Sequence, residues 1–221
     1  MRISNREFSK RRKDLMVQME SNSIALLSSA PPSVRNNDAE YQYRQNSDFF
    51  YLTGFAEPNA LLALIPRRRQ GEVVLFCQEK DKEKELWTGY ILGPDAAIEE
   101  LGVDDAYPID DIDDIITGLI EGRDRVYYSM GKDDDFDNCV MEWVKVIRSK
   151  AKIGSHPPSE FQVLDHLLHE LRLYKSPTEI KLMEKAANIS AEGHKAAMAH
   201  CRPGVMEYEL EAELLYAFTR N

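Results

Sequence analysis

His166 and His169 stand three residues apart, a spacing that on a helix puts two imidazoles on one face, where they could share a metal ion with Glu170. With Glu170 the one further ligand nearby, a surface or packing role is the stronger reading. The run Asp133-Asp-Asp135 with Asp137 could take a cation. It lacks the glycine and distal glutamate of a calcium loop and reads better as the cap of a helix that follows. Arg172 and Lys175 could bind an anion, but at a joint between domains structural ion pairs are the simpler expectation. His194 falls on an apolar helical stripe and reads as a core histidine; His156 precedes Pro157-Pro158 in a linker. Cys77, Cys139 and Cys201 are widely spaced and odd in number, which points to reduced, mostly buried thiols in the cytoplasm rather than a disulfide frame or a zinc site. Trp87 lies in a charged, exposed-looking stretch, where a large aromatic either packs locally on Leu86 and Ile91 or serves binding. Tyr41, Tyr43, Arg44, Asn46 and Asp48 are dense in hydrogen-bonding groups and read as a scaffold that fixes a loop.

Bulk properties narrow the classes. The 221 residues suffice for one large domain or one domain plus part of another. With 28 basic and 38 acidic residues the net charge is −10, and Arg67-Arg68-Arg69 is too short for a nucleic-acid surface. There is no apolar run long enough for a membrane span, and Met1 to Glu7 lacks the apolar stretch of a signal peptide.

The elements that must position these residues follow in order. Ser4 and Glu7 form a capping box that opens a helix to about Met19. Ser23 to Leu27 predicts a strand, and Ala30 to Ala39 a long polar loop. Phe49 to Thr53, Ala60 to Ile65 and Glu72 to Cys77 predict three strands, with Phe49 to Thr53 central. Their near-continuous apolar runs suit a sheet covered on both faces. Lys80 to Leu86 is an exposed helix or loop and Pro94 to Leu101 a short helix. Ile109 to Ile120 has helical spacing with aspartates in its first turns. Arg125 to Ser129 is a strand and Asp134 to Lys150 a helix. The pattern predicts an α/β domain over residues 1–170, with a mixed sheet of about five or six strands.

Residues 171–221 read as a joint and two helices. Ser176, Pro177 and Glu179 form a second capping box with proline at the first helical position. Ile180, Met183, Ala187, Ser190/Ala191, His194, Met198 and Cys201 predict one long helix with a buried stripe, stopped at Arg202-Pro-Gly204. Leu210, Leu214, Leu215 and Phe218 give the next helix an apolar face.

Tyr41-Gln-Tyr-Arg-Gln-Asn-Ser-Asp-Phe-Phe-Tyr-Leu-Thr-Gly-Phe-Ala-Glu-Pro58 resembles the signature of the N-terminal domain of aminopeptidase P, the Xaa-Pro aminopeptidase family. Glu170 to Ile180 is similar to that family's passage into its catalytic domain, and Cys201 to Gly204 with Glu207 to Glu211 to the step after it. The resemblance implies the N-terminal α/β domain of the creatinase and aminopeptidase P type, followed by the first helices of a pita-bread catalytic domain. It also implies an enzyme that removes the first residue from peptides with proline in second position. Two divalent metal ions, manganese in the usual case, would be held by two aspartates, one histidine and two glutamates that come after residue 221. The chain itself would then bind no metal, hold no catalytic residue and be inactive alone. Its roles would be homo-oligomerisation and walling of an active site, without nucleic-acid or membrane partners. The resemblance matches Trp87 to a residue at a neighbouring subunit's active-site entrance and Asp38 to one near the same mouth, which marks both as substrate-binding candidates. Prolidase and creatinase share the two-domain plan, and a non-catalytic module of the same fold is the alternative from another class.

Overall fold

The computed structural model describes residues 3–221. Its elements in chain order are α1 (Asn5–Gln18), β1 (Ser23–Ser28), β2 (Val34–Asn36), β3 (Ala39–Glu40), α2 (Ser47–Thr53), β4 (Leu61–Leu64), β5 (Val73–Cys77), α3 (Lys82–Thr88), α4 (Gly93–Leu101), β6 (Asp105–Pro108), α5 (Ile112–Ile120), β7 (Arg125–Tyr128), α6 (Asp134–Ser149), β8 (Glu160–Val163), α7 (Asp165–Leu173), α8 (Pro177–His200) and α9 (Glu207–Arg220). The chain divides into two compact units, one over Ser4–Leu173 and one that includes Tyr174–Asn221. Among the described residues no helix is long and apolar enough to cross a membrane.

The first unit is built on a six-stranded mixed sheet in the order β6-β5-β4-β1-β7-β8, with β4 antiparallel to both its neighbours and the other pairs parallel. Side chains alternate across each strand, so one residue faces one layer and the next faces the other. Ala25 and Leu27 of β1 join Leu62 and Leu64, Leu75 and Cys77 in a cluster covered by α1, α2, α4 and α7 through Leu15, Phe49, Ala97 and Leu168. Ile24 and Leu26 join Leu61, Ala63, Val74 and Phe76 in a second cluster covered by α5 and α6 through Ile116, Ile120, Val140 and Trp143. Helices therefore bury both faces, which is why the strands read as unbroken apolar runs.

The segment Phe49 to Thr53 is not the central strand its aromatic composition predicts; it is the body of helix α2. Asn46 overrides strand propensity by accepting hydrogen bonds from the amides of Asp48 (2.8 Å) and Phe49 (3.1 Å). Gly54 closes the helix in the left-handed region at φ 68°, its amide on the Phe50 carbonyl. Phe49, Leu52 and Thr53, at helical spacing, are buried, and the freed carbonyls of Tyr51 and Leu52 accept from Arg11 (3.0 Å) and Arg12 (2.9 Å). Arg12 is almost wholly enclosed and also donates to the carbonyls of Leu101 and Gly102, so one guanidinium closes the ends of α2 and α4. The central strands are β4 and β1.

Three other expectations change. Part of the polar loop is a two-stranded hairpin, β2 and β3, exposed along its length. Only Cys77 is a buried thiol; Cys139 and Cys201 are exposed, and none of the three is paired. The long helix α8 forms as its capping box directs, with the Glu179 amide donating to Ser176 Oγ (3.2 Å) and the Ser176 amide to Glu179 Oε2 (2.8 Å). Its buried face differs from the predicted stripe. Ile180, Met183, His194, Met198 and Cys201 are exposed, and the covered side runs through Leu182, Ile189, Gly193 and Ala197. A Cβ on Gly193 would sit 2.9 Å from Phe218 and 3.3 Å from Leu214, so the absent side chain is what lets α9 pack closely on α8. Of the apolar face expected on α9, Leu210 and Leu214 are half-buried, while Leu215 and Phe218 stay exposed.

Candidate functional site

The polar segment before α2 ties three stretches of backbone together. Gln45 accepts from the amides of Ala30 (2.9 Å) and Asn46 (2.8 Å) and donates to the Glu57 carbonyl (2.8 Å); Tyr43 donates its hydroxyl to the Ala30 carbonyl (3.0 Å). Of the scaffold expected of Tyr41, Tyr43, Arg44, Asn46 and Asp48, Tyr43, Asn46 and Asp48 take part while Tyr41 and Arg44 are exposed, and the hub is Gln45, which the composition did not single out. Partial burial pushes the Tyr43 hydroxyl above its usual pKa, against hydrogen bonds with Ser29 and Gln45 that pull it down.

Asp48 is nearly buried and pairs with Arg172 of α7, so Arg172 does serve a structural ion pair. Asp48, Asp165 and His169 bring one ligand atom each within 4.8 Å of one another. This group does not fit a metal ion. Asp48 is held by Arg172, and Asp165 accepts from Ser129 Oγ (2.5 Å) and pairs with Lys132 (2.9 Å). A dication would have to displace two side-chain cations already in place. His169 Nε2 lies 3.7 Å from Asp48 with its ring mostly exposed, and His166 is exposed beside it. Asp133 caps α6 by accepting from the amides of Asp135 and Phe136, and Asp137 accepts from Gly131, which disposes of the aspartate run as a cation loop.

The two substrate-binding candidates sit on exposed elements. Asp38 lies in the two-residue turn of the β2–β3 hairpin, beside Asn37 at φ 49°. Trp87 is on α3, a seven-residue helix with no buried side chain, and is 91% exposed; Leu86 is 82% exposed. So little of Trp87 is covered that packing on Leu86 or Ile91 does not account for it. The hairpin follows the carboxyl end of β1 and α3 follows that of β5. These strands run in the same direction, so both elements leave the same edge of the sheet, the edge where open α/β sheets present ligand-binding groups. A crevice of 870 Å³ opens there, lined by Ser28, Gln78, Lys84, Asp113, Asp133 and Trp143 among others. Much of its polar lining is engaged in the fold's own bonds: Trp143 donates to Asp113 (2.6 Å), Lys84 to Gln78 (2.5 Å), and Asp133 caps α6.

Fold and edge together define an open mixed α/β domain that displays an acidic turn and an aromatic helix at its carboxyl edge, followed by a separate helical unit. Comparison with known proteins makes this specific: the chain belongs to the aminopeptidase P family. The sequence pattern described as "Aminopeptidase P, N-terminal domain" matches residues 8–127, and that described as "Metallopeptidase family M24" matches residues 181–221. The chain is 41% identical to the Xaa-Pro aminopeptidase of Escherichia coli K12 over 220 residues, covering 99% of this chain and 50% of that protein. It is 34% identical to the Xaa-Pro aminopeptidase of Haemophilus influenzae, covering 100% and 49%. Among solved structures, the Pseudomonas aeruginosa aminopeptidase PepP superposes with a TM-score of 0.97 at 60% identity, over 99% of this chain and 50% of that one. A zinc-substituted E. coli aminopeptidase P in complex with product superposes with a TM-score of 0.96 at 41% identity, over 100% and 50%. The chain thus spans about half the length of the relatives it matches.

Proposed function

We propose that this chain is the leading half of a metal-dependent Xaa-Pro aminopeptidase, which removes the first residue from peptides with proline in second position. The observation that carries this reading is the order of the two family patterns along one chain. The aminopeptidase P domain comes first, the start of the metallopeptidase family M24 domain follows at residue 181, and the likeness to Xaa-Pro aminopeptidases runs through both. The whole protein acts in the cytoplasm as a homo-oligomer, with two divalent ions, manganese by preference. Nothing in this reading assigns a metal ligand to residues 3–221. The α/β domain spans residues 1–170, and residues 171–221 are the joint and first helices of the catalytic domain. By itself the 221-residue chain has no hydrolytic activity; its part is to hold subunits together and to wall a neighbour's active site.

In that role Trp87 offers an exposed indole to substrate residues beyond proline, and Asp38 offers a carboxylate that attracts the peptide's α-ammonium group. Contacts to remote residues exist only with longer peptides and act through binding energy away from the reacting bond. The test is kcat/KM of the full-length enzyme and its Trp87→Ala variant on Xaa-Pro peptides of increasing length. The variant is expected to lose about one to a few kcal/mol on tripeptides and longer and little on dipeptides. Equal losses at every length would reduce Trp87 to a structural role, and an intact protein inert on every Xaa-Pro peptide would overturn the enzymatic reading.

A further inference from the structure

We propose that Glu57 is the positioning residue for the helix that carries Trp87, and through it a determinant of how the whole enzyme treats long against short peptides. The second half of this inference rests on the role proposed for Trp87; the first half stands on geometry alone.

Helix α3 has seven residues and buries none of them, so neither length nor a core holds it. It is held at its ends. Asp81 caps the start, accepting from the amides of Glu83 (2.9 Å) and Lys84 (3.2 Å). After the helix the chain dives back under cover at Ile91 and Leu92, both buried, and turns at Gly93 with φ 77°. Two carboxylates receive this return. Glu85 Oε1 accepts from the Ile91 amide (3.0 Å) from within α3 itself, and Glu57 Oε1 accepts from the Leu92 amide (2.9 Å) from 35 residues earlier in the chain. Of the two, only Glu57 ties the return segment to another part of the domain.

Glu57 is anchored in turn. Its own carbonyl accepts from Gln45, which also holds the amides of Ala30 and Asn46. A continuous set of hydrogen bonds therefore runs from Ala30, ahead of the hairpin that bears Asp38, through Gln45 and Glu57 to Leu92, behind the helix that bears Trp87. The two exposed elements at the carboxyl edge share one polar brace, and Glu57 is its link to α3.

The tie is made at a cost. Glu57 Oε2 is buried with no hydrogen-bond partner among the described residues. Burial pushes the Glu57 carboxyl above its usual pKa, the Leu92 amide pulls it down, and the charge of Glu85 pushes it up again. A glutamine here could offer Leu92 the same acceptor without the charge, whereas an alanine would remove the link. That contrast separates positioning from mere bulk.

The experiment compares Glu57→Gln, Glu57→Ala and the unmodified protein. In the 221-residue protein labelled with 5-fluorotryptophan, the fluorine resonance of Trp87 reports on α3, and buried Trp143 serves as the internal reference. Glu57→Ala is expected to speed amide exchange at Leu92 by at least about tenfold and to sharpen or shift the Trp87 resonance, with Trp143 unmoved; Glu57→Gln should restore both. In the full-length enzyme Glu57→Ala should raise KM for long peptides about as much as Trp87→Ala does, with kcat and dipeptide turnover little changed. Unaltered Leu92 exchange and Trp87 resonance in Glu57→Ala would overturn the positioning role. If those spectra move as expected while Trp87→Ala leaves long-peptide KM unchanged, Glu57 still positions α3 and it is the reading of Trp87 that falls.

Discussion

Between Ser4 and Leu173, Leu62, Leu75 and Phe76 are fully enclosed between a sheet and its covering helices; between Tyr174 and Asn221 the only buried residue is Gly193. Both regions obey the same local rules. Helix α8 has a complete capping box and 24 residues, better local credentials than the seven-residue α2 in the core of the first unit. What separates them is cover. In the first unit the apolar runs of the sheet strands find partner layers on both faces. In α8 and α9, Ile180, Met183, Met198, Tyr208, Leu215 and Tyr216 face solvent. Local signals start and stop helices, but burial supplies most of the free energy that holds them.

The largest expected contrast is between two truncations. Phe76→Ala empties a fully buried position and should cost about 3–5 kcal/mol. Met183→Ala, on the exposed side of α8, should cost less than about 0.5 kcal/mol. Urea unfolding of the 221-residue chain measures both, and similar costs would break the comparison.

Acid sharpens it at a smaller scale. Burial alone would raise the pKa of Asp165, but its hydrogen bonds with Ser129 and Lys132 and the charge of Lys132 outweigh burial and hold it below the ordinary aspartate value. A depressed folded pKa contributes stability above the unfolded pKa, and that contribution is lost as pH falls through the folded one. Asp165→Asn should therefore destabilise the first unit by about 1 kcal/mol at neutral pH, and the gap to wild type should close below the usual aspartate range. The looser pair of the helical unit, His200 with Glu213 at 3.8 Å, is partly exposed at both ends, and Glu213→Gln should be nearly silent there. A gap for Asp165→Asn that stays constant with pH would assign its cost to packing instead.

An effect confined to the helical unit is expected from Gly193→Leu. It drives a side chain into Phe218 and Leu214 and should strip amide-exchange protection from α9, while β1, β4 and β5 keep theirs. Loss of protection in the sheet as well would show that the two units unfold as one.

How much of this was legible before any coordinates can be judged element by element. The helix starts at Ser4 and Ser176, the caps at Asp133 and the strands of Ser23–Ser28, Leu61–Leu64 and Val73–Cys77 follow from nearest-neighbour chemistry, and each sits where composition and spacing put it. The edge strand β8 did not announce itself, because Glu160-Phe-Gln-Val163 alternates over only four residues and is largely exposed. The same holds for the β2–β3 hairpin, which buries nothing. Trp87 and Asp38 could be singled out as candidates, but Glu57 and Gln45 could not, since the bonds by which they brace the domain span 12 to 35 residues and a hydrogen bond to a distant backbone group leaves no local pattern.

The amino-acid sequence by itself determined the α/β class, the helix start at Ser176–Pro177 and the family resemblance, because caps, apolar runs and the long signature depend on residues close together in the chain. That Phe49 to Thr53 is a helix rests partly on local caps, Asn46 and Gly54, and partly on what tertiary structure alone supplies, the Arg11 and Arg12 contacts to its last carbonyls. Tertiary structure also decided which face of α8 is covered, since periodicity shows that a stripe exists while the position of Gly193 against α9 chooses it. A helix or strand is proposed by its neighbours in the chain and ratified by what it packs against, and burial is the larger of the two energies.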